Sequence, residues 1–552
     1  MYIYLVFRLF LYHNMYYRPI DQNKSLFFHL YLSDKQNSML VKVFGAALQG
    51  IDATLITIEV NCSKGIKFML VGLPDASVKE SHERILSALQ VNGYKFPRQQ
   101  VVINMSPADI KKEGSAYDLP LAVGILAASG TLNADRLEHY MLMGELSLDG
   151  SILPIKGVLP IAIKARELGF KGLIIPNKNA QEAAVVNNLN VYGVDTITEV
   201  VEFLNDAHAL SPTEVDTREE FLRNQQGFEF DFSDVKGQEN VKRAIEVAAA
   251  GGHNIIMVGP PGAGKSMMAK RMPSILPPFS LHEALETTKI HSVAGKTGTN
   301  TSLMALRPFR SPHHTISDVA MVGGGVYPQP GEISLAHNGV LYLDELPEFN
   351  RSVLEVLRQP LEDRSISISR AKFSVEYPAS FMLVSSMNPC PCGYFNHPEK
   401  ECVCSQGVVQ KYLNKISGPL LDRIDIQIEI APVPFEEISS TSIAEKSELI
   451  RERVIKARQI QAERFADEKG TYCNAQMSTR LMRKYAMPSD EGVQLLKLAM
   501  DRFKLSARAY DRILKVSRTI ADLDQSVDIQ SKHLAEAINY RNLDRENWSN
   551  RI

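Results

Sequence analysis

Gly259, Pro260, Pro261, Gly262, Ala263, Gly264, Lys265 and Ser266 follow one another directly after the apolar run Ile255–Val258. A glycine-rich turn between a strand and a helix lets backbone N–H groups point inward at phosphate oxygens, and the positive end of the following helix adds to the attraction. The lysine of such a loop reaches the β/γ-phosphates and the next hydroxyl ligates Mg²⁺, so Lys265 and Ser266 predict a nucleoside triphosphate site. A second buried-strand run, Val340–Leu343, ends in Asp344 and Glu345. Adjacent acids there suit two tasks: Asp344 holds Mg²⁺ through its water shell, and Glu345 polarises the attacking water. A third run, residues 381–386, leads to Met387 and Asn388. An amide at that strand end can orient the lytic water or touch the γ-phosphate.

Two further groups of residues could bind something. Cys390, Cys392, Cys402 and Cys404 crowd into one short segment. Four thiolates at that spacing can close a tetrahedral site for structural Zn²⁺, with His397 able to replace one ligand; free thiols packed in a loop are the alternative. Cys62 and Cys473 stand alone and read as ordinary thiols. Residues 365–369 and 373–377 alternate with the period of strands, and Ser369, Arg370, Ala371 and Lys372 would form the turn between them. Arg370 and Lys372 could follow the phosphates of DNA without reading bases; a plain exposed β-turn is the alternative. His313 and His314 are adjacent on what reads as an extended segment, which would point them to opposite faces and make them poor joint ligands.

The elements that must position these groups fill a chain of 552 residues, too long for one core. Its formal net charge is −2, from 61 basic and 63 acidic residues, so bulk charge draws it neither to nucleic acid nor to a membrane. Six cysteines in so long a chain do not resemble a secreted disulfide framework and fit a reducing cytoplasm. Residues 1–38 read as a poorly ordered extension upstream of Met39, with no uninterrupted apolar span of membrane length; a short membrane-associating or targeting segment is the alternative. A mixed α/β domain over 39–205 is expected from alternating strand and helix patterns, then a polar linker over 206–230. The ATPase core is placed at 231–434, ending near Pro432 and Pro434, and 435–552 reads as all-helical. In that last part Val493, Leu496 and Met500 share a helical face, as do Ile513, Val516, Ile520 and Leu523. Arg508, Arg512 and Lys515 line another, where a solvated basic stripe is the plain expectation.

From Gly418 to Asp425 the chain reads Gly-Pro-Leu-Leu-Asp-Arg-Ile-Asp, just before another strand pattern. Here it resembles the AAA+ ATPases, in which an arginine at the place of Arg423 reaches the γ-phosphate of a neighbouring subunit. The resemblance also makes Arg508 the second sensor of a helical lid and 234–238 part of an adenine pocket. It narrows further on Arg310-Ser311-Pro312-His313-His314-Thr315, on residues 331–339 and on Asn388-Pro389-Cys390-Pro391-Cys392-Gly393, which are similar to those of the Mg chelatase-like ATPases of the YifB/ComM type. That family implies an α/β fold with a Lon-protease-like α+β N-terminal domain, an AAA+ P-loop NTPase core and a C-terminal all-helical lid. It also implies ATP and Mg²⁺ as ligands, a cytoplasmic homo-hexamer, and a DNA helicase that drives branch migration in natural transformation or recombination on single-stranded or branched DNA. In such relatives a hairpin at the place of 365–377 points into the ring pore. The Lon-like domain is expected to be inactive. Ala116 stands at the nucleophile's place with Ser115 one position off, and Leu159 stands where the partner lysine should be. A protein-remodelling or regulatory ATPase using that domain as an adaptor is the competing expectation.

Overall fold

The computed structural model describes residues 40–541 apart from 217, 220, 222–224, 226, 299–301, 326–327, 371–372, 398, 434–443 and 504. The expected 1–38 extension and the break at Pro434 therefore lie outside the described residues. The chain divides into two compact units, one of residues up to 214 and one of 215–552, with 48–52 and 156–160 counted in the second.

The first unit is built on a seven-stranded sheet of β1 (Leu40–Gln49), β2 (Asp52–Ser63), β3 (Phe68–Val71), β4 (Gln100–Ser106), β5 (Tyr140–Leu142), β6 (Gly172–Pro176) and β7 (Asn190–Val194), in the order β3-β4-β2-β1-β5-β6-β7. β2 and β4 run antiparallel, Ile58 opposite Met105, whereas β3 with β4 and β5 with β6 are parallel. Helix α1 (Ala76–Val91) starts where the Asp75 carboxylate accepts the Val78 N–H at 2.8 Å. Helix α2 (Asp118–Ala128) is buried at every position and so needs no polar face. Its one acid, Asp118, is held by Arg84 Nε at 2.6 Å; burial nonetheless pushes that carboxyl up to about 6.

The second unit carries a five-stranded, wholly parallel sheet of β8 (Ile255–Val258), β9 (Phe309–Arg310), β10 (Val340–Leu343), β13 (Met382–Met387) and β14 (Ile426–Glu429), ordered β9-β10-β13-β8-β14. Between β10 and β13 the chain makes an antiparallel hairpin of β11 (Ser365–Arg370) and β12 (Phe373–Pro378). The continuous apolar runs of the sheet follow from its two covered faces. Ile255, Met257, Tyr342 and Val384 enter one core, and Ile256, Val258, Leu341, Leu343 and Leu383 enter the other. The first of these cores is shared with α3 (Glu239–Gly251), α4 (Lys265–Ile275) and five helices of the C-terminal segment: α5 (Ser447–Arg464), α6 (Thr479–Tyr485), α7 (Asp490–Phe503), α8 (Ala507–Leu523) and α9 (Ser531–Asn539).

On α8 the expected apolar face is real, with Ile513, Val516 and Ile520 buried. On α7 it is narrower than expected, because Val493 is exposed while Leu496 is buried. The basic face of α8 is not a solvated stripe. Arg512 is largely buried with Nη1 2.9 Å from Asp425 Oδ1, and Lys515 Nζ donates to the Ala475 carbonyl at 3.0 Å; only Arg508 of the three is well exposed.

Asp425, just before β14, is 1% exposed and ties these layers together. Its Oδ2 accepts the Asn254 N–H at 3.0 Å and lies 3.4 Å from His253 Nδ1. Burial opposes its charge, but Arg512 and His253 hold the carboxyl well below the usual carboxylate range. Asp425→Ala strands Arg512 in the interior and is expected to cost about 3–5 kcal/mol in a urea unfolding curve. For His253, burial outweighs Asp425 and keeps the ring below its ordinary pKa of 6.5. The folded state thus keeps it neutral while the unfolded chain takes up a proton, so stability present above about pH 6.5 is lost as pH falls. His253→Gln should flatten part of that acid limb in unfolding curves taken from pH 8 down to about pH 5.

Candidate functional site

β13 lies between β8 and β10, with Val258 opposite Met387 and Leu343 opposite Ser385. All three strands run the same way, so their last residues open at one end of the sheet. There the phosphate loop, Asp344, Glu345 and Asn388 come together. Gly264 takes φ +85°, a left-handed conformation that suits glycine, and α4 begins at the next residue. Lys265 Nζ donates to Gly259 O at 2.7 Å, to Pro260 O at 2.9 Å and to Asn388 Oδ1 at 3.0 Å. Burial lowers the pKa of this ammonium, and the charges of Asp344 and Glu345 oppose that shift. Ser266 Oγ donates to Asp344 Oδ2 at 2.9 Å, so the two expected Mg²⁺ ligands already face each other.

Asp344 Oδ1 accepts the Ser386 hydroxyl and, at 3.1 Å, the Glu345 N–H. Burial pushes this carboxyl up, but hydrogen bonds from Ser386, Ser266 and Tyr342 outweigh it and leave the group below its ordinary value, ready to bind a cation. Glu345 is exposed and has φ 53° and ψ 53°, a strained conformation for a residue with a side chain. It stands at the turn out of β10, beside Asp344, and backbone outliers of this kind gather at functional sites. Ser386 was not expected from sequence. It is fully buried, donates to Asp344, and accepts the Tyr342 hydroxyl at 3.1 Å and the Glu345 N–H at 3.4 Å. The signal that could have found it is the pair Ser385-Ser386, polar residues ending an otherwise apolar central strand.

Arg423 and Arg508 do not join this group. β14 pairs with β8 from Ile255 opposite Ile426 to Val258 opposite Glu429. Residues preceding Ile426 therefore stand at the opposite end of the sheet, about 10 Å or more from the phosphate loop along the strands. Arg423 Nη1 donates to Pro419 O and Nη2 lies 2.6 Å from Glu362 Oε1, with the side chain only 8% exposed. Arg508 is on the same end, with Nη1 3.7 Å from Asp422 Oδ2 and its side chain 62% exposed. Of the expected adenine segment, Gln238 Nε2 donates to Ala431 O at 2.5 Å, and Asp234 pairs with Arg271.

The four cysteines do converge: one sulfur of each lies within 4.8 Å of all the others. Sγ to Sγ distances are 3.3 Å for Cys390–Cys392, 3.5 Å for Cys392–Cys402 and 3.7 Å for Cys390–Cys402. Tetrahedral Zn²⁺ with bonds of about 2.3 Å separates its sulfurs by about 3.8 Å, so the set fits zinc with little adjustment. His397 is not in the cluster; its Nδ1 accepts the Glu399 and Lys400 N–H groups.

Elsewhere the structure changes two expectations. Arg370 ends β11 opposite Phe373 rather than lying in a four-residue turn, because ladder pairing continues to the last residue before the connection; Lys372 and the Arg370 side chain lie outside what is described. His313 and His314 do not point apart. A turn begins at His314 and brings their rings to 4.1 Å between centroids. In the first unit Ser115 opens a short 3₁₀ turn, and the nearby Lys112 is fully buried with its ammonium on the Pro107 carbonyl; Leu159, counted in the second unit, is buried too.

The description of magnesium chelatase subunit ChlI matches residues 231–438, that of subunit ChlI of Mg-chelatase matches 58–179, and that of the ChlI C-terminal part matches 444–541. Competence protein ComM of Haemophilus influenzae is 44% identical over 505 residues, which is 91% of this chain and 97% of that protein. YifB of Escherichia coli is 42% identical over 505 residues, 90% of this chain and 96% of its own length. The chain belongs to the YifB/ComM-type Mg chelatase-like family. A shorter likeness, 31% over 125 residues and 22% of each chain, links it to Lon protease 2 of Bacillus subtilis. Membership in this AAA+ family implies ATP and Mg²⁺. No helix among the described residues is long and apolar enough to cross a membrane.

Ser386→Ala removes a hydrogen bond to a charged carboxylate and frees Asp344 to turn. The Mg²⁺ concentration for half-maximal ATP hydrolysis should rise about tenfold or more, while Ser386→Thr, which keeps the hydroxyl, should rescue most of it. An unchanged Mg²⁺ dependence in a folded Ser386→Ala protein would contradict this role.

Proposed function

We propose that this chain is an ATP-hydrolysing motor that works on DNA as a homo-hexamer, in branch migration during natural transformation or recombination. The observation that carries the hydrolytic part is the meeting of Lys265 Nζ with Asn388 Oδ1 at 3.0 Å beside Ser266 and Asp344 at 2.9 Å. Lys265 neutralises charge on the β/γ-phosphates, Asn388 orients water, and Glu345 takes the proton from that water as its oxygen attacks phosphorus and ADP leaves. Mg²⁺, held by Ser266 and Asp344, would supply charge neutralisation on the phosphates.

The split between the two ends of the sheet supports the shared site. A subunit that carries its phosphate loop at one end and Arg423 with Arg508 at the other can complete a neighbour's site when copies assemble head to tail into a ring. Arg423 would exchange Glu362 for the developing phosphate charge. The cysteine tetrad is read as a structural Zn²⁺ site. The DNA part rests on the relative named a competence protein and on the β11–β12 hairpin, whose Arg370 and Lys372 would follow phosphates.

The deciding experiment measures hydrolysis and four-way-junction migration by wild type, Lys265→Ala and Glu345→Gln. Single-stranded or branched DNA should raise the wild-type rate, and both variants should lose migration. Stimulation by unfolded protein and not by DNA would overturn the DNA reading in favour of remodelling with the Lon-like domain as adaptor. Replacing Arg370 and Lys372 by Ala should lower DNA affinity and flatten its salt dependence while basal hydrolysis survives.

A further inference from the structure

The cysteine loop is not an isolated surface clip, because it is continuous with the strand that carries Asn388 and it leans on the phosphate loop. Cys390 comes two residues after Asn388 and is fully buried, unlike Cys392, Cys402 and Cys404. The segment 387–393 meets the phosphate loop three times. Met387 O accepts the Gly259 N–H at 3.2 Å, Asn388 Oδ1 accepts from Lys265 at 3.0 Å, and Gly393 packs on Pro261. That last contact is close: a Cβ on Gly393 would lie 2.5 Å from Pro261 Cδ and 2.8 Å from Cγ. The turn that delivers Gly393 is closed by its own N–H donating to Cys390 O at 3.0 Å, between the first two thiols of the tetrad.

We propose that the metal-bound tetrad is a brace for catalysis: by fixing the Cys390–Gly393 turn it sets where Pro261 and Asn388 stand, so that ATP hydrolysis depends on zinc occupancy. A loop joining Asn388 to helix-forming residues beyond 405 has few hydrophobic side chains to hold it, and Val403 within it is exposed. Four bonds to one ion remove that freedom at the point where the turn touches the phosphate loop. Gly393 and Pro261 are then positioning residues, acting through Asn388 and the loop backbone without touching the reacting atoms.

The inference rests on the zinc and ATPase readings above, and its test separates them. Zinc content, thermal melting, affinity for a fluorescent ATP analogue and steady-state hydrolysis are measured on the full-length protein. Wild type should carry about one zinc per chain. Gly393→Ala should keep that zinc and the melting temperature yet lose at least tenfold in kcat. Because alanine at φ +85° is strained in itself, the decisive arm is Gly393→Ala with Pro261→Ala, which removes the ring atoms the new methyl meets. This double variant should regain much of the rate lost by Gly393→Ala alone. Cys392→Ser with Cys404→Ser should lose zinc and show the same kcat defect while still binding the analogue. Full hydrolysis by zinc-free, folded protein, or by Gly393→Ala, overturns the brace even if zinc is present; wild type without zinc overturns its metal dependence and the zinc reading with it, leaving the Gly393–Pro261 contact to be judged by the double variant.

Discussion

A strand covered on both faces can offer a polar side chain to a reaction only where it ends. The parallel sheet of the second unit turns that constraint into a site: β8, β13 and β10 finish side by side, and the residue types at their ends are a glycine-rich loop, an amide and two acids. Had β13 been placed elsewhere, Asn388 could not meet Lys265. The distance of Arg423 from the glycine-rich loop follows from the same rule, since whatever precedes β14 must emerge at the far end.

Much of this was legible because each strand is a short apolar run, bounded by residues that cannot continue it. Ile255–Val258 with its loop, Val340–Leu343 with its acids, and α8 with its apolar face are local patterns, and local patterns survive folding. Partnerships between distant residues were not legible. Nothing near Arg423 in the chain announces Glu362, and nothing near Asp344 announces Ser386, because both pairings are created only when distant segments fold together. The basic face of α8 misled for a related reason: charge spacing on a helix tells which residues share a face, and not that Asp425 waits opposite one of them.

The His313–His314 pair and the β11–β12 connection failed differently. In both, the alternation of an extended chain was carried one residue too far or stopped one residue too soon, and backbone hydrogen bonding decided the outcome. The cysteine tetrad lies between these cases. Spacing alone allowed a free-thiol loop, whereas the convergence of four sulfurs is a three-dimensional fact that gives the spacing its chemical meaning.

Asp425 has one more implication. Its two oxygens grip the start of β8 through Asn254 and the middle of α8 through Arg512, and β8 is only four residues long before it becomes the phosphate loop. One carboxylate thus links the C-terminal helices to the strand that leads into the glycine-rich loop. Between Arg512 on α8 and the glycine-rich loop stand one carboxylate, Asn254 and four strand residues.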